Sequence, residues 1–497
     1  MNVHPFDRIR TDRVALRSGL TLARLFASRR ALVGTMPVAF AFILMVVLIG
    51  FAPASLASSE AAKSGNGELA AEIDEVMSKT YKPDAPGAAV IAIKDGKVVF
   101  RKGYGMANLE LGVPVKPEMV FRLGSITKQF TAVAILMLAE QGKLSVSDDI
   151  TKYLPDFPAQ GHKITIENLL THTSGVKNYT ALPEWLPLWR KDMSLSELIA
   201  LFKDKPLDFA PGEKWSYSNS GFVLLGAIIE KVSGQSYEDF LQKQIFGPLG
   251  MTHTFYDHTD RLIPGRVEGY SKRGDYFINC AYLSMTQPYS AGSLASSVDD
   301  LAIWDEALYT EKLVKQESLR RAWVTFHLND GKPTNYGYGW GISSLDGHPV
   351  IAHNGGINGF ATSEMRIPDI HGYVAVLTNS DSAEEGPDDA AAKIALALLG
   401  HPYREPAPIV LSAAALDKYV GSYKIEDGPT AVVTREGTKL FLAVGRKTEI
   451  IPASETEFYS KSSMSRYVFT RDSSGAVTGL TLKTVMGIEV SAAKSAK

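Results

Sequence analysis

The sequence predicts an α/β protein, more narrowly an α+β one, with an antiparallel sheet flanked by helices and a mostly helical subdomain. A small all-β domain is predicted to follow. Apolar runs with strand character stand near both ends of residues 69–400, helical patterns fill the middle, and short alternating runs fill residues 411–497. Strands at both ends of a helical middle are typical of one sheet completed by the two ends of a domain.

The first 57 residues have the pattern of a targeting segment. They carry seven arginines and two aspartates, and the arginines precede an uncharged stretch, residues 31–59, whose apolar centre is 40–49. Small residues at 54–57 fit a peptidase site, but the stretch is also long enough to anchor the chain in the inner membrane. We therefore expect residues 1–57 to be a signal peptide or an N-terminal membrane anchor. Either one places the remainder outside the cytoplasm, in the periplasm or another extracytoplasmic space.

The remainder of the chain has a net charge of −7, which gives no reason to expect a nucleic-acid partner. The single cysteine, Cys280, cannot form an intramolecular disulfide. No cysteine or histidine cluster has the spacing of a metal site, and no organic cofactor is implied.

The elements of the larger domain follow from local patterns. Residues 58–68 read as a flexible linker before a helix at 69–79. Asp95-Gly96 between two apolar runs predicts a hairpin. The expected strands are 88–94, 97–102, 349–353, 360–366 and 372–378, with a closing helix at 390–399.

A second break comes at residues 401–410, where a proline-rich stretch is expected to act as a semi-rigid linker. Alternating runs at 430–434, 439–443 and 466–470 then predict a small β-sandwich or half-barrel over residues 411–497. No candidate catalytic cluster lies there, so this domain is interpreted as a structural or substrate-gating appendage.

Ser-x-x-Lys occurs three times, beginning at Ser125, Ser174 and Ser491, but only Ser125 opens a long apolar helix. Residues three apart share a helix face, so Lys128 should lie one turn above Ser125. Burial would lower the lysine pKa, and a neutral lysine can act as base for a serine nucleophile. The structural alternative is that Ser125 caps the helix and Lys128 is a surface charge.

Tyr217-Ser218-Asn219 precedes a second apolar helix that ends at Gly234. Tyr217 is a candidate proton carrier if nearby positive charge, such as Lys128, lowers its pKa. Capping of the helix by Asn219 or Ser220 is the structural alternative, and it is compatible with catalysis.

His353-Asn354-Gly355-Gly356 is expected at the end of a strand. Glycines there would let a substrate lie against the backbone, and the Gly356 amide could join that of Ser125 in an oxyanion hole. His353 could supply a proton or a hydrogen bond near neutral pH. A hairpin turn beside an incidental histidine is the structural alternative. A nucleophile elbow, a zinc-protease motif and a phosphate-binding loop are all missing.

Together, Ser125-x-x-Lys128, Tyr217-x-Asn219 and His353-x-Gly355 resemble the serine β-lactamase and penicillin-binding protein superfamily, in its class C-like branch. The resemblance covers about residues 69–400 and implies Ser125 as the acylated nucleophile, with Lys128 and Tyr217 handling protons. Asn219 would then contact the substrate or the lysine, and His353 and Gly355 would lie at the substrate. Because His353 replaces a lysine typical of β-lactamases, strong β-lactamase activity is not expected.

The sequence therefore predicts an exported serine hydrolase that forms an acyl-enzyme on a small ester or amide. Its substrate class would be an ester, a D-amino-acid peptide or a β-lactam. One alternative is a penicillin-recognising binding or sensor protein that acylates slowly or has lost turnover. Another is a membrane-tethered interaction protein whose β-domain is the working part.

Overall fold

The computed structural model describes residues 56–383, 385–425, 428–487 and 489–495. Residues 1–55, which hold nearly all of the predicted signal peptide or anchor, lie outside the described residues. In the described ranges no helix is both long enough and apolar enough to cross a membrane.

The helices of the described residues lie mostly between residues 127 and 322. They are α1 Leu56–Thr80, α2 Thr127–Glu140, α3 Ile166–Leu170, α4 Leu195–Ala200, α5 Asn219–Ser233, α6 Tyr237–Leu241, α7 Gly247–Leu249, α8 Tyr289–Gly292, α9 Val298–Ala307, α10 Gln316–Ala322, α11 Pro387–Leu398 and α12 Ala413–Leu416.

The strands fall into a main sheet, a C-terminal group and short pairs. They are β1 Ala88–Lys94, β2 Lys97–Tyr104, β3 Met106–Asn108, β4 Val113–Pro114, β5 Phe121–Arg122, β6 Phe255–Tyr256, β7 Tyr270–Arg273, β8 Tyr276–Asn279, β9 Leu294–Ser296, β10 Gly341–Leu345, β11 His348–Ile357, β12 Phe360–Ile367, β13 Gly372–Thr378, β14 Gly421–Ile425, β15 Thr430–Glu436, β16 Lys439–Val444, β17 Arg446–Pro452, β18 Glu457–Ser460, β19 Ser463–Arg471, β20 Val477–Lys483 and β21 Glu489–Lys494.

The main sheet has the order β10-β11-β12-β13-β1-β2, and all its neighbouring strands are antiparallel. The N-terminal β1 pairs with the C-terminal β13, so both ends of the domain complete one sheet. This confirms the predicted α+β arrangement. Strand β10 was not predicted, and β11 continues past His353 to Ile357 instead of ending near it.

Both faces of this sheet are buried, which explains why β1 reads as an almost continuous apolar run. Ala89, Ile91 and Ile93 face the larger core with helices α2 and α5. Ala88, Val90 and Ala92 point to the opposite core, where α1 and α11 pack. The sheet is therefore the middle layer of the domain, and α2 lies directly against one of its faces.

Residues 58–68, expected to be a flexible linker, lie within helix α1, which begins at Leu56. Once the part of a helix that packs on the sheet has formed, each further residue adds to it at little cost. Ala61, Ala62 and Lys63 favour such an extension by their helix propensity. The composition pointed to flexibility because Gly65 and Gly67 interrupt the segment.

The C-terminal strands β14 to β21 form a closed antiparallel barrel, because β14 also pairs with β21. The all-β prediction is confirmed, but the sandwich or half-barrel expected for it is replaced by full closure. Edge-to-face rings of Tyr419, Phe458 and Phe469 fill the interior, with centroids 4.9 to 5.2 Å apart. The barrel interior is thus a packed core, so only the outer surface of the barrel is left for contact with a ligand.

Candidate active site

Ser125 lies in a single 3-10 turn, Gly124–Ile126, that leads into helix α2. Its hydroxyl makes no capping hydrogen bond, so the alternative role as a helix cap is wrong. The turn needs glycine at 124 because φ is +54° there and an added Cβ would lie 3.0 Å from the Gly356 nitrogen. Ser125 is thereby held at the junction of helix α2 and strand β11.

Lys128 is buried and lies one helical turn after Ser125, as the spacing predicted. Its Nζ donates to Asn219 Oδ1 at 2.9 Å and to the Ala291 carbonyl at 2.8 Å, and its third hydrogen-bond partner, Ser125 Oγ, lies 3.0 Å away. Burial lowers its pKa well below the ordinary value, since the charged ammonium loses its solvation. A neutral amine 3.0 Å from a serine hydroxyl is placed to accept the hydroxyl proton.

The other two Ser-x-x-Lys sequences do not form such pairs. Lys177, three residues after Ser174, makes a salt bridge with Asp208. Lys494, three residues after Ser491, donates to the Lys418 carbonyl on the barrel. Among the three, only Ser125 has its lysine hydrogen-bonded to its own hydroxyl in the part of the chain described here.

Tyr217 reaches the same cluster from the loop before helix α5, and its ring lies 4.8 Å from Lys128 Nζ. Burial raises the pKa of Tyr217 above its usual range, and a hydrogen bond with the Ser125 side chain offsets this only in part. The expectation that Lys128 lowers this pKa is therefore wrong. The desolvated lysine has given up the charge that would do so, and Tyr217 is a protonated phenol, able to donate a proton.

Asn219 holds the lysine in place. Its Oδ1 accepts from Lys128 at 2.9 Å, while its Nδ2 donates to Thr180 Oγ1 at 3.1 Å. It is the first residue of helix α5, whose N-cap is Ser218. Of the two contacts expected for Asn219, substrate or lysine, the structure has the one to the lysine.

His353 lies in strand β11 with both ring nitrogens engaged inside the protein. Nδ1 lies 2.6 Å from the Asn354 carbonyl oxygen, an acceptor only, so Nδ1 carries the proton. Nε2 then accepts from the Tyr336 hydroxyl at 2.8 Å. Burial lowers its pKa from 6.5 to about 3, since the charged imidazolium would lose its solvation. The expected titration of His353 near neutral pH is therefore wrong. Its ring is neutral, and hydrogen bonds within the protein occupy both of its nitrogens.

Gly355 and Gly356 have different roles. An added Cβ on Gly355 would lie 1.9 Å from the Leu123 carbonyl oxygen, so this buried glycine lets β11 pack against the chain just before Ser125. Gly356, in contrast, is exposed. It lines, together with Ser125 and Asn219, a cavity of about 230 Å³. The predicted oxyanion-hole residues thus face one cavity, whereas Gly355 positions the strand and does not line that cavity.

The sequence left one residue of the site without a role. His172, in the stretch Leu169–Gly175, is buried with its ring 4.3 Å from that of Tyr217. Its Nδ1 accepts from the Ser218 amide at 3.1 Å, which fixes the segment before α5. Its φ of +59° is rare for a residue with a side chain, and this local cost is typical of functional segments. A histidine in a Thr-His-Thr-Ser-Gly turn was the only signal available.

Residues 69–399 match the family described as Beta-lactamase. Residues 405–494 match a family described as "Domain of unknown function (DUF3471)". The first match covers the sheet, the helices and every residue of the site, and the second covers the barrel.

Curated relatives agree with this assignment. The chain is 32% identical over 398 residues to Penicillin-binding protein 4* of Bacillus subtilis (strain 168), which covers 74% of this chain and 87% of that protein. It is 30% identical over 382 residues to D-aminopeptidase of Gluconobacter oxydans (strain 621H), covering 75% of this chain and 70% of that protein.

Among solved structures, an octameric penicillin-binding protein homologue from Pyrococcus abyssi superposes with a TM-score of 0.61. The two are 28% identical, and the match covers 86% of this chain and 99% of that one. With the Ser125–Lys128–Tyr217 cluster in place, the chain belongs to the β-lactamase and penicillin-binding protein family of serine hydrolases.

Proposed function

We propose that the protein is an exported serine hydrolase that cleaves a small ester or amide through an acyl-enzyme on Ser125. The observation that supports this most directly is the buried Lys128 amine, 3.0 Å from Ser125 Oγ. Among the described residues its hydrogen-bond partners are a hydroxyl, a side-chain amide and a backbone carbonyl, so it stays a base rather than half of an ion pair.

The proposed steps use the groups as the structure arranges them. Lys128 takes the Ser125 proton while Oγ bonds to the substrate carbonyl carbon, and the amides of Ser125 and Gly356 bind the resulting oxyanion. As the bond to the departing oxygen or nitrogen breaks, Tyr217 donates its phenolic proton to that atom. Lys128 then restores the proton of Tyr217. A water molecule then attacks the acyl carbon, the proton transfers run in the opposite direction, and the acid is released from Ser125.

The substrate class is inferred from the cavity at Ser125. The described residues that line it include Tyr179, Trp185 and Leu283 but no aspartate, glutamate, lysine or arginine. This composition suits an uncharged acyl group, such as that of a simple ester or an N-acylated amide. A D-alanyl peptide remains in this class, and the similarity to a protein named D-aminopeptidase supports testing D-configured amides.

The export part of the proposal is supported by the arginine-rich start and apolar stretch of residues 1–57. Fractionation of cells that express the full chain, with N-terminal sequencing of the product, would test it. We expect the protein outside the cytoplasm, either without its first 57 residues or attached to the membrane. An intact chain in the cytoplasm would contradict export without bearing on the chemistry.

The hydrolytic proposal is tested with nitrophenyl acetate and with the anilides of N-acetyl-D-alanine and N-acetyl-L-alanine. Ser125→Ala should abolish turnover, and intact mass should show an acetyl adduct on the wild type only. Ser491→Ala removes the serine of another Ser-x-x-Lys sequence, exposed on the barrel, and should leave activity unchanged. Full activity of Ser125→Ala would overturn the proposal. A long-lived penicillin adduct without turnover of any ester or amide would favour the sensor instead.

A further inference from the structure

A second, larger cavity adjoins the site, and both domains form its walls. This chamber has a volume of about 580 Å³. Tyr217 and His353 line it from the hydrolase domain, and Met464 and Met486 line it from the barrel. None of the roles derived above uses it.

The barrel residues that line the chamber, or lie next to it, pack against the hydrolase domain. Met464 is only 3% exposed, packs into the core shared with α11, and donates its backbone N–H to Asp389 Oδ1 at 3.0 Å. The loop that carries Met486 turns at Gly487, with φ of +74°, and an added Cβ there would lie 3.2 Å from Ser344 Oγ on β10. Since the barrel interior is filled, the barrel reaches the chamber through the start of strand β19 and through the loop that carries Met486.

The position of Tyr217 indicates which part of a substrate enters the chamber. Ser125 and Gly356 line the small cavity, so the reacting carbonyl and its acyl group belong there. Tyr217 contacts Ser125 and lines the chamber. A proton donor must face the atom it protonates, so the group that departs from the carbonyl extends past Tyr217 into the chamber.

The chamber also has a distinct charge. Asp388 and Asp389 line it, and its described lining residues include no lysine or arginine. Its histidine, His353, has both nitrogens engaged within the protein. A carboxylate placed here would meet like charge without a compensating cation, whereas a neutral or cationic group would not.

We propose that this chamber is the leaving-group site, that the barrel supplies its apolar wall, and that it rejects leaving groups bearing a carboxylate. Leaving groups with an apolar surface are accepted, whether they are neutral or carry a positive charge. The inference rests on the proposed acyl-enzyme function. It adds the class of leaving group that the substrate carries. It also assigns a role in substrate selection to the domain of unknown function.

Three matched esters test the charge selection: meta-trimethylammoniophenyl, meta-tert-butylphenyl and meta-carboxyphenyl acetate. They share one acyl group, and the first two leaving groups have nearly the same shape. We expect kcat/KM for the carboxylate ester to be lower than for the tert-butyl ester by about tenfold, since a like charge at close range costs on that order. The cationic ester should equal or exceed the neutral one.

The double variant Asp388→Asn, Asp389→Asn should bring the three values, each divided by the rate constant for alkaline hydrolysis of the same ester, within about twofold of one another, because an uncharged chamber no longer discriminates. Asparagine keeps an oxygen to accept from the Met464 amide. Asp275→Asn, on the exposed β7–β8 hairpin outside the chamber, is the matched control and should leave the tenfold difference intact.

The wall is tested separately with Met486→Trp, which should lower kcat/KM for naphthyl acetate about tenfold more than for methyl acetate by filling the chamber. Val432→Trp, on the outside of the barrel and not lining the chamber, should change neither. Equal rates for all three charged and neutral esters, with turnover dependent on Ser125, would overturn this inference alone. Absence of Ser125-dependent turnover would overturn the proposed function and this inference with it.

Discussion

Lys128 is the residue where catalysis and stability are opposed. A lysine that must stay neutral inside the protein is unfavourable at every pH where the unfolded chain would protonate it. The unfolded state therefore binds more protons between the lowered folded pKa and the ordinary value of 10.5, and stability rises with pH across that window.

Replacing Lys128 by methionine should abolish this dependence together with activity. We expect kcat/KM to fall at least about 100-fold, the usual contribution of a positioned base. The unfolding free energy of the variant relative to the wild type should decrease as pH rises from about 7 to 9, by up to about 1.4 kcal/mol per unit. Denaturant unfolding across this range would measure it. A constant difference would mean that Lys128 is charged in the folded protein. Lys177→Met, on a partly exposed lysine paired with Asp208, is the control and should keep activity.

The His353 ring should not titrate between about pH 5 and 8, because its folded pKa is about 3. The unfolded state binds the extra proton between about 3 and 6.5, so this contribution to stability is lost as pH falls through that window. NMR of the histidine rings, with His353→Asn for assignment, would check it. A midpoint near 6.5 would contradict the buried, doubly bonded geometry.

At the scale of residues, the sequence predicted which residues form the site better than it predicted their protonation states. Ser125, Lys128 and Gly356 were found where helix spacing and turn glycines place them. The protonation of Tyr217 and His353 was not predicted, since both depend on burial by segments distant in sequence. His172 and Tyr336, which pack on or bond to these rings, lie 45 and 17 residues away from them, respectively.

At the scale of elements, strands β11 and β12 link the site to a buried polar cluster. Glu364 lies directly across from His353 in their pairing. It accepts hydrogen bonds from Gln129, the neighbour of Lys128, and from Tyr373 at 2.7 Å. Burial raises its pKa to about 7, and that of nearby Asp305 to about 6.

Glu364→Gln should therefore make stability less sensitive to pH between about 4.5 and 7. The folded wild type binds the extra proton between 4.5 and about 7, so its stability falls as pH rises through this window. The variant should gain stability relative to the wild type by up to about 1.4 kcal/mol per unit there. Unfolding curves at about pH 5 and 8 would measure the gain. An equal difference at both values would show that Glu364 keeps one charge state.

Elements with strong local patterns were predicted, and those that depend on distant partners were not. Strand β1 and the turn at Asp95-Gly96 follow from composition alone. Strand β10, Gly-Ile-Ser-Ser-Leu, has a weak pattern and exists because β11 pairs with it. The helix through residues 58–68 extends a segment that packs on the sheet, and the glycines within it concealed this.

For the whole molecule, the joint between the hydrolase domain and the barrel matters most. Met464 inserts from the barrel into the core between the sheet and α11. Closure of the barrel itself, through β14 and β21, joins segments about 70 residues apart. No local pattern encodes that pairing, which is why a sandwich or half-barrel was the nearest prediction from the sequence.

Met464→Ala should weaken this joint by about 2 to 4 kcal/mol, the usual cost of emptying a buried methionine site. Calorimetry should show the loss as a lower unfolding temperature for both domains, because they share the core. Val444→Ala, on an exposed face of the barrel, should cost less than about 0.5 kcal/mol. An unchanged transition in Met464→Ala would mean that the domains unfold independently.

The close packing of Gly124 and Gly355 has a consequence for how this enzyme can evolve. A methyl group at Gly355 would collide with the Leu123 carbonyl, and one at Gly124 would crowd the Gly356 backbone in a conformation that side chains rarely adopt. The spacing between nucleophile and strand therefore has no side chain through which it could be adjusted. The part of the chamber wall that the barrel supplies, in contrast, consists of side chains on a separate domain. Under the proposed role of the barrel, mutations in its part of the wall would change which substrate is preferred, while Ser125, Lys128 and Tyr217 stay as they are.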